Sequence, residues 1–257
     1  MKLIDTHCHL DEIGDTDLAV REAKEAGVTG IIAVGINYET NLKVLELAEQ
    51  FSGIVFPALG LHPQELPEMD DTDVAGTLRL IEENIEQAVA VGEVGLDYHK
   101  RIRAEAPKER QQAVFRDIML IAARYDKPVS IHSRYAWRDA LDIVQETGVK
   151  KAVFHWFTGP SSVLRDILDN GYFISATPAT EYHSEHRRAV REAPADRLFL
   201  ETDAPVSYGR EDRYESAPKD VVRSLNASAA IRETGAASLA EQTTQNAIQF
   251  FRPPIIS

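Results

Sequence analysis

The feature that most constrains this sequence is a regular alternation of short apolar runs with longer segments of helical periodicity. Several runs are continuously apolar, such as GIIAV and AVAVG, which is typical of parallel strands covered on both faces. The pattern predicts eight strands: Leu3–Thr6, Gly30–Val34, Ile54–Leu59, Ala88–Glu93, Pro128–His132, Lys151–His155, Tyr172–Ala176 and Arg197–Glu201. It predicts helices over Asp17–Ala26, Thr40–Phe51, Glu109–Tyr125, Ala136–Thr147, Ser161–Asn170, Lys219–Thr234 and Leu239–Phe251. This alternation favours a right-handed α/β winding, either a barrel or an open sheet.

The length of the chain favours the barrel. Its 257 residues are close to the ~250 of a typical (β/α)₈ barrel. We find no low-complexity stretch and no linker rich in Pro, Gly or Ser, so we expect residues 1–257 to form a single TIM-type α/β barrel domain. The functional site of such a barrel lies at the C-terminal ends of its strands.

The sequence shows no apolar run of about 18 residues and no signal-peptide pattern at its start, MKLIDTHCHL. Its one cysteine, Cys8, fits a reducing compartment. We therefore expect a cytoplasmic protein with no membrane partner. Its assembly, as a monomer or a small homo-oligomer, is left open by the sequence.

The charge of the chain limits the kinds of partner. A net charge of −13 argues against a protein that coats nucleic acid without specificity, because such a protein needs a basic face. An enzyme that binds a few phosphates locally is still compatible with this charge. Bound divalent cations would supply positive charge at the site itself.

Potential metal ligands stand at the ends of five predicted strands, and they are His7, His9, Glu93, His132, His155 and Asp203. Because alternate residues on a strand point the same way, His7 and His9 can reach one ion while Cys8 points away. Four histidines and two carboxylates suit a borderline divalent cation such as Zn²⁺ or Mn²⁺. Six ligands exceed what one tetrahedral cation uses in an open site, so two cations that share a carboxylate fit better.

The chain contains six short segments, in this order: D-T-H-C-H-L, G-L-H-P, G-E-V-G-L-D-Y, I-H-S-R, F-H-W-F-T-G and E-T-D-A-P. In their sequences and their order they resemble the TatD family of metal-dependent hydrolases. The likeness runs from about residue 2 to residue 205, and Thr244-x-Asn246-Ala247-x-x-x-Phe251 looks like the last helix of the family. Two loops depart from the family pattern. The sequence H-W-F-T-G replaces the frequent H-C-F-S-G, and the charged loop Val206–Pro218 lacks the usual Asn-Glu-Pro. Both loops are expected to face the substrate.

The resemblance implies an amidohydrolase-like barrel and a set of residue roles. One cation would be held by His7, His9, Glu93 and Asp203, and the other by Glu93, His132 and His155. Glu93 would bridge the two cations, and Asp203 would also act as general base. The implied activity is that of a TatD-type deoxyribonuclease: phosphodiester cleavage, mostly 3′→5′ exonuclease action on DNA, with Mg²⁺, Mn²⁺ or Zn²⁺.

Purely structural interpretations of the candidate ligands also stay open. His7 and His9 could form a polar strand end, His132 and His155 could be core histidines, and Asp203 could cap a helix. Glu93 is harder to explain without a partner, because an unpaired buried carboxylate costs several kcal/mol.

Other polar residues near the strand ends carry two interpretations each. His62 could contact the substrate or only begin a turn with Pro63. Arg134 could bind a phosphate in a bidentate manner or form a surface salt bridge. Tyr98 begins a basic loop with Lys100, Arg101 and Arg103, which suggests an anionic substrate or is merely solvated. Trp156 could stack on a base or pack against a loop. Asp5 could orient a histidine or be only a polar residue at the strand end, and Cys8 is expected to be packed and inert rather than a metal ligand.

Two rival functions compete with a nuclease. The first is a hydrolase of the same barrel type that cleaves a small ester, lactone, amide or phosphoester. Many relatives in that wider group carry a carboxylated lysine on the fourth strand, whereas this chain has Glu93 there. The second is a metal-binding assembly subunit without turnover. The complete set of ligands argues against it.

Overall fold

A computed structural model describes residues 1–254. Its main sheet has eight parallel strands that are hydrogen-bonded in chain order. The strands are β1 (Leu3–Cys8), β2 (Val28–Val34), β3 (Val55–Leu59), β4 (Ala90–Gly95), β5 (Val129–His132), β6 (Ala152–Phe154), β7 (Phe173–Ala176) and β8 (Leu198–Leu200). All eight predicted strands are confirmed, with ends that differ by no more than two residues.

The sheet closes where β1 meets the segment after β8. Cys8 forms a parallel bridge with Ala204, and the backbone N–H of His9 donates to the Ala204 carbonyl at 2.8 Å. The backbone N–H of Asp203 donates to the His7 carbonyl at 2.9 Å. The barrel prediction is therefore confirmed over the open sheet, and the closure brings the first and last predicted ligand segments together.

The described residues contain ten α-helices: α1 (Thr16–Glu25), α2 (Tyr38–Gln50), α3 (Asp71–Glu83), α4 (Lys100–Glu105), α5 (Lys108–Arg124), α6 (Trp137–Glu146), α7 (Ser161–Asp169), α8 (Ser184–Glu192), α9 (Val221–Ile231) and α10 (Ala236–Phe251). The seven predicted helices are confirmed. Helices α3, α4 and α8 were not predicted from the sequence. Helix α4 contains most of the segment that was predicted as a basic loop, so that prediction was wrong in its local structure.

Alternate side chains of the strands enter two apolar clusters, as the two-residue period of a strand requires. On β2, Ile31 and Ala33 belong to the larger cluster, whereas Ile32 and Val34 belong to the second. Phe199 and Phe250 pack edge to face in the second cluster, with ring centroids 5.1 Å apart. Both faces of the sheet are thus held by packed side chains, so the rim of the barrel is a rigid platform.

The charged loop after β8 contains a small antiparallel hairpin, β9 (Ser207–Tyr208) and β10 (Tyr214–Glu215). The Tyr208 side chain is buried, and its hydroxyl donates to the Thr202 carbonyl at 2.8 Å. In residues 1–254 we find no helix with the length and apolarity needed to cross a membrane.

Candidate metal centre

The structure brings the six predicted ligands together at the C-terminal rim of the barrel. They lie at the ends of β1, β4, β5, β6 and β8, as the strand-end analysis predicts. A cavity of about 770 Å³ opens over them. Its lining includes five of the six, namely His9, Glu93, His132, His155 and Asp203. The sixth, His7, is fully buried beneath them.

Glu93 lies at the centre of this group, and its two carboxylate oxygens face different histidines. Oε2 lies 3.3 Å from Nε2 of His7 and 3.4 Å from Nε2 of His9. Oε1 lies 2.9 Å from Nδ1 of His132 and 2.8 Å from Nε2 of His155. One carboxylate therefore connects two groups of imidazoles.

Asp203 completes the first of these groups. Its Oδ1 lies 3.5 Å from Nε2 of His7 and 3.4 Å from Nε2 of His9. Its backbone has φ 52°, in the left-handed region, where aspartate and asparagine are tolerated better than most residues. The carboxylate is thereby directed to the same point as the two imidazoles.

Glu93 reaches its position because the backbone around it is closely packed. A Cβ at Gly60, after β3, would lie 2.3 Å from the Glu93 carbonyl oxygen, so only glycine fits there. The Glu93 side chain is buried. Burial opposes its ionisation, but the surrounding histidines, His62 and His155 foremost, lower its pKa well below the usual range.

The arrangement fits divalent cations. Nε2 of His7 is buried and has no hydrogen-bond partner among the described residues, although it faces two carboxylates. Ligand atoms of His7, His9 and Asp203 converge within 4.8 Å of one another, as do those of His62, Glu93 and His132. A tetrahedral cation with bonds of about 2.0–2.2 Å separates its ligand atoms by roughly 3.3–3.6 Å. The distances in the first group match this spacing.

His62 joins the site, at the end of the segment that follows β3. Its side chain is buried, and Nε2 lies 3.4 Å from Oε1 of Glu93. Its Nδ1 accepts a hydrogen bond from the backbone N–H of Gln64 at 3.1 Å. Burial lowers the pKa of His62 to about 4, so the ring is neutral at pH 7. A neutral ring that accepts at Nδ1 carries its proton on Nε2, so His62 is a hydrogen-bond donor toward the cavity.

Arg134 lines the cavity, but much of its guanidinium is already engaged. Nε and Nη2 donate to the carboxylate of Asp97, the latter at 2.6 Å. Asp97 is fully buried. Although burial opposes its ionisation, the nearby His132 ring and the hydrogen-bonded Arg134 guanidinium lower the pKa of Asp97 well below the usual range. Arg134 therefore has one Nη group left for a substrate anion.

The other predicted substrate contacts fall in different places. Trp156 lines the cavity, and its ring packs against Tyr208 with centroids 5.6 Å apart. Tyr98 is buried away from the cavity lining, and its hydroxyl donates to Asp139 at 2.7 Å. The structure thus brings His62, Arg134 and Trp156 to the cavity but leaves Tyr98 outside its wall.

Asp5 and Cys8 lie directly beneath the ligands. The Asp5 carboxylate accepts the backbone N–H groups of His7 and Thr202, and it also accepts the Thr202 hydroxyl. It contacts these groups rather than an imidazole ring, and so it fixes the turn that leads to Asp203. Cys8 is fully buried with its sulfur 3.9 Å from the Ala204 carbonyl oxygen, and it belongs to none of the ligand groups.

Sequence reasoning gave no role to three residues that the structure places at the site. Asp97 and Glu201 are buried carboxylates behind His132 and His155, at 3.4 Å and 3.5 Å. Both stand near strand ends, in two of the six quoted segments, and this position could have marked them as site residues. Their burial, however, could not be predicted from the sequence. Tyr135 is 60% exposed at the cavity wall with φ 59°.

Comparison with known proteins decides the family. The family model described as TatD related DNase matches residues 4–252 of the chain. The chain belongs to the TatD family. The family predicted from the six segments is thereby confirmed, and with it the prediction of a metal-dependent hydrolase.

Relatives of known name match the TatD-family chain over nearly its whole length. It is 35% identical to the human deoxyribonuclease TATDN3, over 97% of this chain and 94% of the relative. It is 33% identical to the 3′-5′ ssDNA/RNA exonuclease TatD of Erwinia tasmaniensis, over 92% and 93% of the two chains. The crystal structure of YJJV, a TatD homologue from Escherichia coli, superposes with a TM-score of 0.89 at 30% identity and covers 98% of each chain.

The TatD-family site predicts an unusual pH dependence for the metal-free protein. Burial lowers the pKa values of His9, His132 and His155, but the surrounding carboxylates outweigh it and raise them above the usual 6.5. A raised pKa in the folded state stabilises the protein below pH 6.5, and this stability is lost as the pH rises through the folded values.

We therefore expect the melting temperature of chelator-treated protein to fall as the pH is raised above 6.5. Metal-loaded protein should show the opposite trend, because histidine binds a cation only when it is deprotonated. Thermal denaturation of both forms across a pH series measures this. A melting temperature of the metal-free form that rises steadily above pH 6.5 would contradict the expectation.

Proposed function

We propose that this TatD-family enzyme uses two divalent cations to hydrolyse phosphodiester bonds and removes nucleotides from the 3′ ends of DNA. The observation that carries the proposal is the division of ligands between the two oxygens of Glu93. His7, His9 and Asp203 would hold one cation and His132 and His155 the other, with Glu93 shared. The identity of the cations, Zn²⁺, Mn²⁺ or Mg²⁺, depends on supply as well as on geometry.

When bound, such cations lower the pKa of a water molecule and polarise a phosphoryl oxygen. The chain supplies the proton acceptor. Burial opposes the ionisation of Asp203, but its hydrogen bond with His9 and the nearby histidines lower its pKa, so it is a carboxylate at neutral pH. Because Oδ1 faces the imidazoles, Oδ2 is the oxygen that takes a proton from the attacking water.

Groups along the cavity would position the substrate. His62 presents its Nε2 proton to a phosphoryl or leaving oxygen, and the unused Nη group of Arg134 can bind a second oxygen of the phosphate. Trp156 offers a ring at the cavity wall for a base. Tyr98 stays a prediction without a contact to the cavity.

The names of the relatives support a nucleic-acid substrate. One is called a deoxyribonuclease and another a 3′-5′ ssDNA/RNA exonuclease. We further propose that residues 1–257 act as one domain; residues 255–257 lie outside the described residues. The cytoplasmic location and the oligomeric state, monomer or small homo-oligomer, also stay predictions.

A substrate panel tests the proposal. We expect metal-loaded protein to shorten a 5′-labelled single-stranded oligonucleotide from its 3′ end, and chelator-treated protein to leave it intact. RNA, duplex DNA with a recessed 3′ end, a small phosphoester, a lactone and an amide complete the panel. Intact DNA and RNA beside hydrolysis of a small substrate would refute the nuclease and support the first rival. Turnover of any substrate would eliminate the assembly subunit.

A further inference from the structure

His132 lies between two carboxylates that contact opposite nitrogens of its ring. Nδ1 lies 2.9 Å from Oε1 of Glu93, on the side of the proposed cations. Nε2 is buried without a hydrogen-bond partner among the described residues, and the carboxylate that it faces is Asp97, with Oδ2 at 3.4 Å. Since an ionised carboxylate only accepts hydrogen bonds, Asp97 favours the tautomer with its proton on Nε2. That tautomer leaves the lone pair of Nδ1 for a cation.

His155 shows the same arrangement with its two nitrogens exchanged. Nε2 lies 2.8 Å from Oε1 of Glu93, and Nδ1 faces Oε1 of Glu201 at 3.5 Å. Glu201 is 1% exposed, and it is held in place because the same oxygen accepts the backbone N–H of Trp156 at 3.0 Å. Glu201 therefore favours a proton on Nδ1 and a free lone pair on Nε2.

Among the described residues, no carboxylate lies as close behind the histidines of the other group, although a Glu201 oxygen comes within 4.8 Å of a ring nitrogen of His7. Nδ1 of His7 lies 3.1 Å from the hydroxyl of Ser130, a neutral group that can either donate or accept. Apart from Glu93 and Asp203, no carboxylate in residues 1–254 lies within 4.0 Å of the ring nitrogens of His7 or His9. The two groups of imidazoles thus differ in what stands behind them.

We infer that Asp97 and Glu201 are positioning residues that set the tautomers of His132 and His155. Binding of a cation at the position formed by Glu93, His132 and His155 therefore depends on them, whereas binding at the other position does not. The inference rests on the proposed two-cation function. Loss of a carboxylate behind a ligand histidine typically weakens metal binding by about 10–100-fold. The position formed by His7, His9 and Asp203 should keep its affinity.

The test compares Asp97→Asn and Glu201→Gln with the wild type by metal analysis and by calorimetric titration with Mn²⁺. Each amide keeps the size of the side chain, but its NH₂ group can donate and thus favour the wrong tautomer. We expect two equivalents in the wild type. In each variant we expect one equivalent of Mn²⁺ to bind with unchanged affinity. The second should bind about 10–100-fold more weakly, so that it fills its position only at high Mn²⁺ concentration.

Arg134→Gln is the matched control, since it removes the cation partner of Asp97 but keeps the carboxylate behind His132. It should bind both equivalents as the wild type does. If the loss of the Arg134 pair prevents Asp97→Asn from folding, Glu201→Gln carries the test alone, because Glu201 has no arginine partner among the described residues.

The outcomes separate this inference from the function on which it rests. Two equivalents of wild-type affinity in Glu201→Gln overturn the inference, and so does an equal weakening of both. A wild-type protein that binds fewer than two equivalents overturns the two-cation proposal instead.

Discussion

Replacement of Asp203 by asparagine should lower kcat by about 10²–10⁴-fold, the usual contribution of a positioned general base. The amide cannot take a proton from the attacking water, although it keeps the shape of the carboxylate. The fold should survive because the backbone at Asp203 has φ 52°, a conformation that asparagine also adopts. The backbone N–H of residue 203 would also still donate to the carbonyl oxygen of His7. Single-turnover rates on the oligonucleotide and a melting curve measure the two effects.

Asp203 is also a proposed ligand, so the experiment must separate its two roles. If asparagine only weakens the binding of a cation, excess Mn²⁺ should restore the rate. If the base is lost, excess Mn²⁺ should fill the site while the rate stays low. Full activity of the variant at ordinary metal concentration would remove the general-base assignment altogether.

Replacement of Glu93 by glutamine should have the widest effect, because the residue faces both groups of histidines. We expect the loss of both metal equivalents and of nearly all activity, since the proposed water activation needs both cations. In the wild type, metal at 100 times its Kd should add about 2.7 kcal/mol to the free energy of unfolding. The variant should show little of this stabilisation.

Glu12→Gln is the control for Glu93→Gln. Glu12 also lines the cavity but belongs to none of the ligand groups, so the same change of charge there should leave both equivalents bound. Calorimetric titration and thermal denaturation with and without Mn²⁺ give the readouts. Retention of both equivalents in Glu93→Gln would show that this carboxylate is not the bridge.

The strands could be predicted because most of their side chains are buried on both faces, which makes several of the runs continuously apolar. Helix α8 carried no such signal, since only His186, Ala189 and Val190 are buried on it. Helix α4 is six residues long and buries none. Helix α3 did carry a signal at its start, because Asp70 and Asp73 form a capping box, although the helix was not predicted.

The sequence by itself determined the family, the barrel and the convergence of the candidate ligand residues. Parallel strands place their C-terminal ends at one rim, so residues such as His7 and Asp203 must meet wherever the strands close. Only the tertiary structure decided what stands behind those ligands. Asp97 and Glu201 face histidines at the ends of other strands, and their burial and distances depend on packing that no local pattern encodes.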